Sequence, residues 1–218
     1  MGLFNLKKDS EQNPVQTSNV SNQTFTEVEY APTNGLLNLT KGDILDLRKY
    51  SSSLEKVRVA AGWDVNQRFG SSYDLDVCAF MINKNGKAFD KVYYGAKKLR
   101  GIFLDGDNLT GEGDGDDENI FVNLKEIPDN VSSIIFAVVI YSAKSKGQSF
   151  GEVKNAYVRL VDEGSNGKEI CKYSLSDDGG SDTAVTFAEL TRNENGWSFK
   201  AIGNYSKDSI ESLYSKLR

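Results

Sequence analysis

From Leu36 onward, apolar and polar positions alternate in runs of strand length, each closed by Gly, Asn, Asp or Ser. LLNLTKGDILDL places a Lys41-Gly42-Asp43 turn between two such pieces, and in KVRVAAGW the residues Val57 and Val59 alternate with charged neighbours. A period of two sends successive side chains to opposite faces of a strand. DLDVCAFMIN, a turn containing Asn85-Gly86, and FDKVYYG read as a hairpin, because Asn-Gly enters a tight turn at little conformational cost. NIFVNL, SSIIFAVVIYS, NAYVRLVD, KEICKYSL, TAVTFAELTR and GWSFKAIG follow in the same grammar, about ten strands in all. IIFAVVI is apolar on both alternations and predicts a central strand covered on both faces, the terminal helix supplying part of the cover. Helical spacing is found at the end, where Ile210, Leu213, Tyr214 and Leu217 recur in SKDSIESLYSKL, with Ser206 as the expected N-cap. A shorter turn is expected over residues 150–153.

Many short strands with few helices predict a mostly β protein, an antiparallel β-sandwich with a C-terminal helix, spanning residues 35–218; a closed barrel is the alternative. Residues 1–34 are expected to be a flexible tail, rich in Ser, Thr, Asn and Gln, with Pro14 and Pro32 and no sustained period. Gly2 lacks the Ser or Thr at position 6 that myristoylation requires, since Leu6 stands there.

Charge changes the picture at one place. The chain of 218 residues carries a formal charge of −5, yet residues 105–118 alone carry −7, so the remainder sums to +2. That balance argues against a general nucleic-acid binder, which needs a basic face. The absence of histidine removes the commonest general base and the usual zinc ligand. Cys78 and Cys171 lie in alternating apolar runs and are expected to be buried thiols of a reduced compartment. With no secretory or membrane-spanning run, a cytoplasmic location and no integral membrane association are expected.

The acidic stretch contains Asp105, Asp107, Glu112, Asp114, Asp116, Asp117 and Glu118, four glycines and no basic residue. Such a segment is either a solvated run or a loop folded around a hard cation that takes six to eight oxygen ligands. The interleaved glycines favour the loop. Asp74 and Asp76, two apart, share a strand face and are expected to meet it. An EF-hand does not fit, because its glycine would arrive a position late and its flanking helices are strands here. Calcium is the expected ion, and two ions rather than one, since one calcium does not neutralise nine carboxylates. Asp64, Asp105, Thr110, Glu112 and Asp114 are additional candidate ligands.

GWD at 62–64, YDLD at 73–76, GDNLTGEGDGDDE at 106–118, QSFGEVKNAYVRLV at 148–161, and TAVTFAEL with GWSFKAIG together resemble the TerD-domain family of tellurium resistance, over about residues 36–205. The resemblance implies a calcium-binding β-sandwich of bacterial and phage stress-response operons, without an established enzymatic activity. Its motif positions fall on Asp74, Asp76, Asp107, Asn108, Gly113, Asp116, Asp117 and Glu118. The chain departs from the family pattern at Ser142, where the family often has Asp, at Ala188 and Thr191, and at the shortened end Gly203-Asn204-Tyr205.

The function expected is a non-catalytic calcium-binding scaffold whose ions order the acidic loop for protein partners. Two alternatives stand beside it: a calcium-dependent lectin-like or virion module using Trp63 to stack on a sugar, and a metal-dependent hydrolase. Lys97, Lys98 and Arg100 read as a basic turn offsetting the acidic loop, and Arg159 as a cross-strand partner.

Overall fold

Alternating burial along the strands builds two seven-stranded sheets that face each other across one core. The computed structural model describes residues 25–28, 36–64, 73–106, 115–175, 179–194 and 196–218. Its elements are β1 (Thr26–Val28), β2 (Leu37–Leu39), β3 (Asp43–Asp46), α1 (Leu47–Tyr50), β4 (Lys56–Asp64), β5 (Leu75–Asn83), β6 (Ala88–Val92), β7 (Lys98–Leu99) and β8 (Ile102–Asp105). After the acidic segment come β9 (Glu118–Asn123), β10 (Val131–Ile140), α2 (Ala143–Lys146), β11 (Lys154–Asp162), β12 (Lys168–Ser174), β13 (Ala184–Asn193), β14 (Gly196–Ser206) and α3 (Ile210–Leu217).

The first sheet runs β1-β3-β14-β13-β10-β5-β6 and the second β2-β12-β11-β4-β9-β8-β7. Most pairs are antiparallel, but the edge pairs β1 with β3 and β2 with β12 are parallel. The sheets are therefore mixed. The Lys41-Gly42 turn, expected between two strand-like pieces, separates β2 in one sheet from β3 in the other. Residues 26–28, assigned from the sequence to the tail, form edge strand β1. Three residues are too few to show a period, and their pairing depends on a free edge of β3. Residues 1–24 and 29–34 of the expected tail lie outside the described residues.

The β5–β6 hairpin forms as expected: Asn83 Oδ1 accepts from the backbone N–H groups of Asn85 and Lys87 at 2.9 and 3.1 Å, and Gly86 takes φ +74°. Strand β10 is central and covered twice. One face packs Ile134, Phe136 and Val138 into the inter-sheet core with Phe187, Phe199 and Leu160. The other packs Ala137 and Val139 with Cys78 and Phe80 beneath Ile210 and Leu213 of α3. The helix N-cap is Ser209, whose side chain accepts from the Ser212 N–H at 3.2 Å; Ser206, the expected cap, ends β14. The shift follows from β14 pairing as far as Ser206 with Ala184. A 3-10 turn at Phe150–Glu152 matches the expected short turn. Cys78 and Cys171 are buried free thiols, and burial pushes both upward in pKa.

Candidate metal centre

Strand register gathers the acidic residues at one end of the sandwich. Ala61 of β4 pairs with Glu118 of β9, so the end of β4 lies beside the start of β9. Asp105, ending β8, pairs with Asn119. The Asp117 N–H donates to the Ala61 carbonyl at 2.9 Å and continues that ladder. The start of β5 arrives from the facing sheet, its Asp74 carbonyl accepting from the Tyr141 N–H at 2.8 Å.

The two sheets are tied here by Glu118. Its side chain follows the inward alternation of Ile120 and Val122, and it is 1% exposed. Its Oε2 accepts from the Val77 N–H at 2.6 Å. Strand β6 stops opposite Ala79, and among the described residues no strand pairs with that edge of β5 beyond it, where the Glu118 carboxylate takes up the Val77 N–H. Asp76, 4% exposed, lies on the other face of β5, with Cys78 and Phe80. Asp76 and Glu118 thus approach from opposite sides of one strand. Both charges add to the upward push that burial gives the Cys78 thiol.

Asp116 and Asp117, neighbours in sequence, have opposite electrostatic surroundings. The Asp116 carboxylate faces outward across the second sheet and is gripped by two guanidiniums. Arg159 donates through Nε at 2.7 Å and Nη2 at 2.6 Å, and Arg58 through Nη1 at 2.5 Å. Arg58 and Arg159 turn outward because their neighbours Val57, Val59, Val158 and Leu160 fill the core. Burial alone would raise the Asp116 carboxyl, but the two arginines outweigh it and hold it below the usual range. Asp117 is raised, by burial first and then by the charges of Asp116 and Asp64; the Trp63 N–H, donating to its Oδ2 at 2.9 Å, offsets part of this.

Both ends of the acidic segment are pinned. Lys97 Nζ donates to the Gly106 carbonyl at 2.9 Å, and the Tyr157 hydroxyl donates to the Gly115 carbonyl at 2.8 Å. The Tyr157 ring lies across Gly62, where an added Cβ would sit 2.5 Å from its hydroxyl oxygen. Glycine at the GWD motif is what admits that ring. Asp64 accepts from the Asn155 side chain, whose backbone is left-handed at φ 52°.

Of the ligand candidates, Asp64, Asp74, Asp76, Asp105, Asp116, Asp117 and Glu118 are placed, whereas Asp107, Asn108, Thr110, Glu112, Gly113 and Asp114 lie outside the described residues. Among the described residues, no three acidic or cysteine side chains stand close enough to hold a metal ion. The donor chemistry nonetheless fits a hard cation. All these donors are oxygens, and the like charges that raise Asp117 are those a divalent ion would relieve. Asp116 fits differently, since its carboxylate is already neutralised by arginine. Sequence reasoning assigned Arg159 a partner across strands but did not single out Arg58 or Tyr157. Their outward positions on strands alternate with core residues, and the contact with Asp116 spans 58 and 43 positions for the two arginines.

These features define a two-sheet sandwich with acidic residues gathered at one end, where the sequence between β8 and β9 is acidic and rich in glycine. Residues 36–217 match the TerD domain, and the chain belongs to the TerD family. It is 40% identical over 172 residues to tellurium resistance protein TerD of Alcaligenes sp, covering 77% of this chain and 89% of that one. It is likewise 40% identical over 176 residues to general stress protein 16U of Bacillus subtilis (strain 168), covering 77% and 90%. In fold it is similar to the crystal structure of a Streptomyces coelicolor A3(2) homologue of telluride resistance protein (TerD), with a TM-score of 0.62 at 22% identity over 74% of this chain and 96% of that one. No helix among the described residues is long and apolar enough to cross a membrane.

Proposed function

We propose that the protein is a non-catalytic calcium-binding scaffold serving tellurium resistance or general stress response, in which bound ions order residues 105–118 into a surface for a protein partner. The observation carrying this reading is the buried Glu118 carboxylate that ties the sheets through the Val77 N–H, next in sequence to Asp117, whose carboxyl is raised by burial first and then by the charges of Asp116 and Asp64. A cation there converts repulsion into attraction, while the lysine and tyrosine at the segment's ends set its span. Asp74, Asp76, Asp117 and Glu118 would supply carboxylate oxygens together with donors from residues 107–114; Asp116 would hold the strand rather than the ion. The names of the relatives support the stress-response setting. The lectin-like alternative loses its stacking platform, because Trp63 is 6% exposed and packs in the core.

Hydrogen exchange with and without chelator tests the proposal. Amides of residues 106–118 should lose protection on chelation while those of 134–140 stay protected. The double variant Asp74→Asn with Asp76→Asn should show the same loss in calcium. Full metal content and a protected loop in that variant would remove β5 from the ligand set and refute the clamp.

A further inference from the structure

Outside the acidic segment, a groove of about 810 Å³ opens on the outer face of the first sheet, between the Tyr93-Tyr94 turn, α2 and the start of α3. We infer that this groove docks an acidic segment of a partner protein, with Tyr94 and Tyr141 as anchors and Lys144 and Lys207 as charge partners. The inference goes beyond the partner-surface reading above, which places contact on residues 105–118, and adds a second contact on the outer face of the first sheet.

The rings form a chain. Tyr93 meets Tyr94 edge-on at 5.2 Å between centroids, and Tyr94 meets Tyr141 at 5.8 Å and 88°. Yet Tyr94 and Tyr141 remain 41% and 44% exposed. Large aromatic surface held rigidly by its neighbours and still wet is the composition of an interface anchor.

Charge selects the occupant. Asp208 is held by Lys216 at 2.7 Å and by the Ser212 hydroxyl, and Glu211 by Lys91 at 2.6 Å. Among the described residues, Lys144 and Lys207 on the rim have no ion-pair partner, so the rim offers two unspent positive charges. Carboxylates on a partner match them. A nucleic-acid backbone needs a continuous basic face, which two lysines do not make. A small metabolite fits less well, since a small-molecule pocket encloses most of its ligand and these tyrosine walls stay open. Asp76, a candidate metal ligand, lines the groove as well, so the occupant lies next to the metal end.

The test titrates the full-length ¹⁵N-labelled protein with a synthetic peptide of alternating Glu and Leu, and with its Lys-for-Glu counterpart, in calcium and in chelator. Shifts should concentrate at residues 93–97, 141–145 and 207–212 with the acidic peptide, weaken as salt rises, and be absent with the basic one. Lys144→Glu with Lys207→Glu, both at exposed positions, should keep the melting temperature and weaken binding about tenfold or more. Tyr141→Ala should weaken it without altering the salt dependence. Acidic-peptide binding in calcium, in chelator or in both supports the groove, and a loop unresponsive to calcium with groove binding intact defeats only the metal reading. Equal binding by the charge-reversed variant, shifts on another face, shifts explained by self-association, or no binding in either condition overturns the inference.

Discussion

Replacing Asp116 by Asn separates the two roles proposed for the neighbouring carboxylates Asp116 and Asp117 at the candidate metal centre. The wild-type carboxylate gives Oδ1 and Oδ2 to the Nε–H and Nη2–H of Arg159, and Oδ2 also to Arg58. An asparagine keeps one acceptor and turns an N–H₂ group against a guanidinium, so the bidentate grip fails. A hydrogen bond to a charged group contributes about 1.5–3 kcal/mol. The guanidiniums are 17% and 27% exposed at the side chain and can rehydrate, and both retain a second acid, Glu163 for Arg58 and Glu169 for Arg159. The expected net loss is therefore about 2 kcal/mol, or roughly 4–8 °C in melting temperature for a chain of this size. Thermal unfolding followed by circular dichroism, in chelator and in calcium, reads it. Asp116→Asn should lower the transition in both conditions by a similar amount. Asp117→Asn should leave it unchanged or slightly higher in chelator, since it removes a disfavoured charge, and should lose part of the calcium-induced rise. A melting temperature in chelator unaltered by Asp116→Asn, with calcium affinity strongly reduced, would refute the division of labour and return Asp116 to the ligand set.

Calcium at about a hundred times its dissociation constant should stabilise the fold by roughly 2.7 kcal/mol, read as a rise in urea midpoint that chelator abolishes. Gly62→Ala should push the Tyr157 ring off the Gly115 carbonyl, seen as faster exchange at residues 115–117 with the core amides unchanged; unchanged exchange would show that the tyrosine does not hold the loop end. The Asp46 carboxyl is held below its ordinary 3.8, first by the Arg48 side-chain bond and against the effect of burial. Its contribution is present above pH 3.8 and is lost as pH falls through the lowered folded value. Asp46→Asn should flatten that part of the acid limb of stability against pH, and a limb of unchanged slope would contradict the assignment.

The alternation of Val57, Val59 and their charged neighbours, the Asn85-Gly86 turn and the doubly apolar IIFAVVI were sufficient to read strands, a hairpin and a central position, because each depends on local periodicity and burial. The amphipathic spacing of Ile210, Leu213 and Leu217 likewise carried the helix. The acidic composition of residues 105–118 located the candidate chemistry, since no other segment concentrates as many carboxylates among glycines without a cation. Edge strand β1 escaped notice, and so did the placing of β2 and β3 in different sheets, because such pairing depends on an open neighbour elsewhere in the chain rather than on the strand's own residues. So did the split between Asp116 and Asp117. Adjacent carboxylates are equivalent in one dimension, and only the sheet decides that one faces Arg58 and Arg159 while the other faces the Trp63 backbone N–H. The same holds for β5, where Glu118 takes up the Val77 N–H on the edge beyond β6 while the pleat sends Asp76 to the opposite face. Local sequence sets which residues can bear charge and which face they take; long-range register sets which of those charges meet.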